Sequence, residues 1–367
     1  MATSTASFGA GKRESHDSSA YYARRMAAIS RRPEKTGVVV DAPAAAVNHI
    51  FAHSSEKMDE LPDGTVALMV TSPPYNVGKD YDDDLSLDEY LGCSLFCKCE
   101  NLQRTGAFKF RGASNAVKLL EESGIQGDVA THSSGNHGAA LALAARLSGR
   151  TAHVVMPSNS SALKVEAVRG FGGEVHFCEP THESRRAGLE KLVAKGHIPV
   201  HPYDEAAIIA GQGTAALELE QDVPELEQLV TPLGGGGLIS GTVIASRAWG
   251  VDVFGVEPEG AADTVASLEA GRIVDDYRPD TIADGLRAGV GVRNFALMQR
   301  YVDTIVTVSE EAIVEAMRLQ WTRMKTVVEP SGAVAFAGVL EHGERFRGRR
   351  AALVVTGGNV DIDRLPW

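Results

Sequence analysis

Only four of the 367 residues are cysteines: Cys93, Cys97, Cys99 and Cys178. Three of them crowd into CSLFCKC, and their spacing does not match the paired CxxC knuckle of a zinc site. The simpler expectation is a buried strand with reduced thiols, in keeping with a reducing, cytoplasmic setting. No apolar run reaches membrane-spanning length, and the N-terminus lacks a signal-peptide core, so no membrane partner is expected. Positive charge is in deficit: 36 Lys and Arg face 48 Asp and Glu, a net charge of −12. This argues against a general polyanion binder. A local basic patch stays open, because nucleic-acid affinity rests on phosphate neutralisation. No internal repeat is present.

What remains is ordinary in apolar content, enough for one large domain or two moderate ones. Residues 1–20 are rich in Ser, Ala, Gly and charge and read as disordered. AYYARRMAAISRR, residues 20–32, has helical spacing with a basic, solvated face. TVALMV, residues 65–70, reads as a buried strand, and Pro73 and Pro74 make the following stretch a loop. Residues 85–91 read as a short helix capped by Ser86, with Glu89 in the capping-box position.

Beyond Ser94 the text changes to strands and helices in alternation. Strands are expected at 95–100, 152–156, 174–178, 229–232, 251–256 and 351–356. Helices are expected from about Phe110 and at 138–147, 162–170 and 183–195. This order points to an α/β fold with parallel sheets covered by helices on both faces. Lobe boundaries are expected near Gly127 and Tyr203.

Three segments carry chemistry. PLGGGGLISG follows an expected strand and opens an expected helix. Gly234, Gly235, Gly236 and Gly237 lack Cβ atoms, and a helix N-terminus favours an anion such as phosphate. A flexible turn is the blander account. THSSGNHG precedes an Ala-rich helix, where Ser134 or Asn136 can act as an N-cap. The same groups can instead hold a substrate carboxylate, and spacing does not choose. Lys109 sits between Phe108 and Phe110 at a helix start. Such a lysine is usually a solvated charge. In an apolar setting near a helix N-terminus it loses its proton more easily, as a Schiff-base lysine requires.

Together the pieces KCENLQRTGAFKFRGA, THSSGNHG, HPYDEAAIIAGQGTAALE, PLGGGGLISG, TIADG, TRMKTVVEPSG and VVTGGNVD resemble the fold-type II (tryptophan synthase β-like) pyridoxal phosphate enzymes. The likeness is to the serine racemase and serine/threonine dehydratase branch, in family order over about three quarters of the chain. It implies two lobes, each with a mostly parallel sheet flanked by helices. Residues 93–127 and 205–367 would form the large cofactor domain and 128–204 the small one, and a homodimer is expected. Lys109 would join the cofactor covalently and act as base at Cα. Phe108 would pack on the ring, Gly234 to Gly237 would cup the phosphate, Asn136 would meet the ring hydroxyl, and Thr356 would face the pyridine nitrogen. Ser133, Asn136 and His137 would bind the substrate carboxylate, and Ser134 would serve as acid/base on the opposite face. Loss of a β-hydroxyl then yields a keto acid and ammonia from serine, threonine or 3-hydroxyaspartate. Reprotonation by Ser134 would instead make the sequence a serine or aspartate-type racemase.

The resemblance implies two further sites. Glu257 and Asp263 flank EPEGAAD, which reads by itself as a solvated surface turn. In the racemase branch these positions, with the carbonyl of Ala261, bind Mg²⁺ or Ca²⁺. Arg185 matches an arginine near the substrate pocket; its blander role is a helix-surface salt bridge. Pointing inward, it would favour an acidic side chain such as that of 3-hydroxyaspartate. Ala288 departs from the pattern, standing where racemases carry a serine at the substrate end. No regulatory module follows, so feedback control by isoleucine is not expected.

The N-terminus departs most. Residues 56–91, with TSPPYNVGKDYDDDLSLDEYL at their centre, resemble DNA amino-methyltransferases of the N6-adenine or N4-cytosine type. There Ser72, Pro73, Pro74 and Tyr75 would orient and stack a flipped base. No separate Gly-rich loop remains for S-adenosylmethionine. Residues 1–92 therefore read as a fragment without its own activity, its strand at 65–70 standing in for the missing edge of the large domain, and nucleic acid is not an expected partner.

Overall fold

The structure, a computed structural model, describes residues 92–367 apart from Ser134 and the side chain of His182. The features expected before Leu91, including the methyltransferase-like loop and the strand at 65–70, lie outside the described residues. Within them, strands and helices alternate as the hydrophobic pattern expects. The large sheet contains β1 (Ser94–Cys99), β6 (Gln228–Pro232), β7 (Asp252–Pro258), β8 (Thr304–Val308) and β9 (Arg350–Val355) in the order β1-β9-β6-β7-β8. The small sheet contains β2 (Val129–His132), β3 (Ala152–Pro157), β4 (Glu174–Cys178) and β5 (Ile198–Pro199) in the order β4-β3-β2-β5. Every named pairing is parallel. The α/β class with two parallel, helix-covered sheets is therefore observed.

Parallel sheets bury both faces, and the central strands show it. AHVVMP of β3 and QLVTP of β6 are buried throughout. CSLFCKC differs from the fully buried strand expected of it. β1 is half-buried along its length, because it ends the order of the described sheet. Its cysteines are unpaired, and burial pushes the Cys97 thiol up to about 12, so it stays protonated.

The helices are α1 (Lys109–Glu122), α2 (Asn136–Leu147), α3 (Ala162–Gly170), α4 (His182–Ala194), α5 (Ala206–Asp222), α6 (Gly237–Ser246), α7 (Asp263–Ala270), α8 (Val292–Tyr301), α9 (Glu310–Thr322) and α10 (Pro330–Glu341). α10 reads PSGAVAFAGVLE, apolar all round, and Ser331 to Val339 are buried in the core of the large sheet. Pro330 opens it, where no helical N–H is lost. α1 is amphipathic, and its stripe of Ala113, Ala116 and Val117 joins the core of the small sheet with α2. α5 lies between α1 and α6, and Gly213 allows the last contact. A Cβ there would stand 2.6 Å from the Gly241 carbonyl oxygen. Among the described residues, no helix is long and apolar enough to cross a membrane.

One ion network, buried at Glu100 and exposed at Glu218, sets the start of α1. Arg111 donates to both carboxylate oxygens of Glu100, each at 2.7 Å, and also to Glu218 of α5. Bidentate pairing of this kind fixes direction as well as energy. It ties the end of β1, the start of α1 and the middle of α5 together, two residues beyond Lys109.

Candidate active site

The carboxyl ends of parallel strands are where open α/β sheets bind ligands. Here those ends enclose a cleft of about 460 Å³. The loop after β2 contributes Ser133, Asn136 and His137, and the loop after β6 contributes Gly234 to Gly237. Thr356 follows β9, Phe108 and Lys109 open α1, and Arg185 enters from α4. The structure thus brings every cofactor and substrate residue named from the sequence into one cleft, except Ser134, which lies outside the described residues.

Lys109 is placed by backbone contacts. Ala107 bridges to Gly357, and the Phe108 amide donates to the Thr356 carbonyl at 3.0 Å. The Lys109 Nζ donates to the carbonyl of Pro202 at 3.0 Å and lies 4.9 Å from the Phe108 ring centroid. Burial holds its amine down at about 8. A substantial fraction is then neutral near pH 7 to 8, as a nucleophile or base requires.

The glycine loop is shaped from behind. Gly236 has φ +89°, a left-handed conformation that favours glycine. A Cβ on Gly235 would stand 2.5 Å from the Tyr203 ring. Asn294 of α8 donates to the Gly235 carbonyl at 2.7 Å and to the Tyr203 carbonyl at 3.2 Å. The loop leads into the N-terminus of α6, whose free amides suit a phosphate.

On the small-lobe side, α2 begins at Asn136, so Asn136 is its first helical residue and not its N-cap. That position belongs to Gly135, and Ser133 Oγ accepts from the amides of Gly135 and Gly138 at 3.2 and 3.1 Å. Asn136 donates to Glu329 Oε1 at 2.6 Å and accepts from Asn359 at 2.9 Å. Thr356 Oγ1 donates to the Ser331 carbonyl at 3.2 Å. Glu329 was given no role from the sequence, although it lies inside the EPSG text. Burial pushes its carboxyl up to about 7, against the pull of the Lys164 ammonium. Lys164 in turn donates to Asp284 across the cleft. No local pattern marks Lys164 or Asn294, and Tyr203 and Asp284, which lie inside the HPYDE and TIADG texts, were given no role; all four act through contacts far along the chain.

Several buried polar atoms in the cleft have no hydrogen-bond partner among the described residues. They include both ring nitrogens of His137, Nε of Arg185, Oε2 of Glu329 and Oγ of Ser160. Burial, then Lys109 and His201, holds the His137 imidazole well below its usual range, so it is neutral at pH 7. Each orphaned group costs about 1–3 kcal/mol, so their gathering in one cleft marks a place built for a ligand. A neutral-leaning amine, a glycine loop at a helix N-terminus and unpaired polar groups between them fit an aldehyde cofactor with a phosphate tail.

EPEGAAD is not the solvated turn it reads as from sequence. Glu257 is fully buried and Asp263 is 2 % exposed, with Ala261 buried between them. Glu257 accepts from the amides of Thr264 and Val265 at 3.2 and 3.1 Å, and Asp263 Oδ2 accepts from Val290 at 2.8 Å. Asp263 Oδ1 is orphaned. Burial pushes Glu257 up to about 8 and Asp263 upward as well. Two buried carboxyls with a spare oxygen suit a hard cation.

The family described as "Pyridoxal-phosphate dependent enzyme" matches residues 85–357. A β-hydroxyaspartate dehydratase of Paracoccus denitrificans is 45% identical over 284 residues, covering 77% of this chain and 90% of the relative. A serine racemase of Dictyostelium discoideum is 40% identical over 287 residues, covering 76% of this chain and 89% of the relative. The solved structure of maize serine racemase superposes with a TM-score of 0.73 at 40% identity, covering 75% of this chain and 86% of that one. With a family match across most of the chain and its lysine and glycine loop meeting in one cleft, this protein belongs to the pyridoxal-phosphate-dependent enzymes.

Proposed function

We propose that the chain is a lyase that eliminates water from a 3-hydroxyamino acid and releases ammonia when water adds back to the resulting imine, leaving a keto acid, with 3-hydroxyaspartate as its substrate class. The observation that carries this reading is Arg185. It lines the Lys109 cleft with a buried Nε that has no hydrogen-bond partner among the described residues. A guanidinium pairs best with a carboxylate through two parallel hydrogen bonds. The amides at the start of α2 would take the α-carboxylate, leaving Arg185 for a second one. Ala288 also lines the cleft, and its methyl offers no hydrogen bond to the hydroxyl of serine. The 45% identity to a β-hydroxyaspartate dehydratase supports the same choice.

Bound pyridoxal phosphate would supply an electron sink. Lys109, the loop from Gly234 to Gly237, Phe108, Asn136 and Thr356 would hold it. Lys109 removes the Cα proton, because burial keeps its amine available in the neutral form. Phe108, whose ring centroid lies 4.9 Å from that amine, and Tyr203 line the same cleft. We also assign Glu257, the Ala261 carbonyl and Asp263 to a Mg²⁺ or Ca²⁺ ion, supported by the orphaned Asp263 oxygen.

A second reading, amino-acid racemase, is favoured by the 40% identity to a serine racemase. One experiment separates them: product analysis from serine, threonine and the 3-hydroxyaspartate isomers, with and without Mg²⁺. The expected outcome is keto acid, formed fastest from a 3-hydroxyaspartate isomer. Arg185→Ala should lower kcat/KM for that isomer by about tenfold to a hundredfold, the equivalent of hydrogen bonds to a charged group at about 1.5–3 kcal/mol. Activity on serine should change little. D-serine as the main product from L-serine, with hydroxyaspartate untouched, would sink the proposal.

A further inference from the structure

The small sheet carries a second gathering of ligating side chains, at the end away from the cleft. Parallel pairing sets Ala130 beside His153 and Pro199, and His153 beside Glu174. Side chains alternate faces along a strand, so Asp128, His153, Glu174, His176 and His197 all fall on one face. Toward the cleft that face is covered by α4, where Leu192 meets Ala130 and Val155. The five ligating groups lie nearer the amino ends of the strands. The catalytic groups leave from the carboxyl ends.

His153 is the centre of this group and is 9 % exposed. Its Nδ1 lies 3.1 Å from His176 Nε2 and 3.3 Å from Glu174 Oε2. Its Nε2 is buried without a hydrogen-bond partner and lies 3.7 Å from Asp128 Oδ2. The His197 ring is 3.9 Å away, centroid to centroid. The other Asp128 oxygen already accepts from the Thr151 amide at 2.8 Å, which leaves Oδ2 free. A neutral imidazole has one donor and one acceptor nitrogen. With Nδ1–H turned toward Glu174, Nε2 presents a lone pair to a carboxylate oxygen. A cation between them removes that conflict. One ligand atom each from Asp128, His153 and His197 lies within 4.8 Å of the others.

We propose that Asp128, His153 and His197 form a second metal site, for a divalent transition ion of the zinc class, with Glu174 orienting His153 from behind. Two imidazoles and one carboxylate suit Zn²⁺, Co²⁺ or Ni²⁺ rather than Mg²⁺ or Ca²⁺. A carboxylate on the far nitrogen of a ligating histidine fixes its tautomer and raises its basicity. An ion there links the starts of β2, β3 and β5 and touches no catalytic group, so the site stands independently of the proposed reaction.

The test is Co²⁺ titration of the full chain, loaded with pyridoxal phosphate and in excess Mg²⁺, followed by the visible bands of bound Co²⁺. The wild type is expected to bind one equivalent at this site. Asp128→Asn and His197→Gln should each weaken that binding by about tenfold or more, and Glu174→Gln should do so to a lesser degree. His176→Gln should stay within about threefold of wild type, since that ring only flanks Nδ1. His197 is half-buried, so its variant keeps the test valid should His153→Gln fail to fold. The proposal is overturned if the wild type binds no Co²⁺, or if Asp128→Asn and His197→Gln bind it as the wild type does. It is also overturned if His176→Gln loses as much as His197→Gln, which would place the ion on the Nδ1 side.

Discussion

Lys109 is reactive because of what the fold removes from around it. In the sequence it is one lysine between two phenylalanines. In the structure the side chain is half-buried, and its amine meets the Pro202 carbonyl and the Phe108 ring. Desolvation disfavours the ammonium and lowers the pKa from 10.5 to about 8. The consequence is measurable in cofactor-free protein. The rate of pyridoxal phosphate capture, followed by absorbance, should climb with pH up to about 8 and level off above it. An unperturbed lysine would continue to climb toward 10.5. A rate still rising at about pH 10 contradicts the burial argument. Lys109→Ala should show no capture at any pH. The lysine itself was legible in FKFRGA. Its partner Pro202 was not, because 93 residues separate them.

The turn from β6 into α6 is the element to which the proposal gives the phosphate of the cofactor. A strand, four glycines and a helix are a local pattern, so the sequence displays it. The reason for glycine at each place is tertiary. Gly236 needs φ +89°, and its absent Cβ leaves room for Asn294, whose Cβ would stand 2.8 Å away. Gly236→Ala should therefore destabilise the protein by about 1–2 kcal/mol from the left-handed backbone alone. It should also weaken cofactor binding, because Asn294 holds the Gly235 carbonyl. A denaturant midpoint and a cofactor titration check the two effects, and an unchanged affinity would free the loop from the role given to it. Other elements were less legible. β8 forms the end of its sheet and is half-buried in part, and β5 has only two residues, so neither announces itself by a strong apolar pattern.

At the scale of the whole molecule, buried acids make stability depend on pH. Burial pushes the carboxyls of Glu257 and Glu329 up to about 8 and about 7 in the folded chain, against 4.5 for an exposed glutamate. Between those limits the folded chain holds protons that the unfolded chain has lost. Stability therefore falls as pH rises from about 4.5 toward 8, by at most about 1.4 kcal/mol per pH unit for each group. The cation proposed at Glu257 and Asp263 would replace the missing proton. Mg²⁺ should raise the Tm of the protein more at pH 8 than at pH 5, and calorimetry at the two values checks it. An equal rise at both would speak against the assigned ion.

The order of strands and helices, the lysine, the glycine loop and the small-residue turn before α2 were all written in the chain, because each depends on spacing over a few residues. The fold class followed from that order. Packing decided the rest. It determined which carboxyls are buried, as at Glu257 and Asp263, which residue caps α2, that Glu329 and Lys164 reach the cleft, and that Asn294 holds the glycine loop from behind. It also gathered Asp128, His153 and His197 at the far end of the small sheet. Those groups come from separate strands and turns, and only parallel pairing, with its fixed register and alternating faces, brings their side chains together.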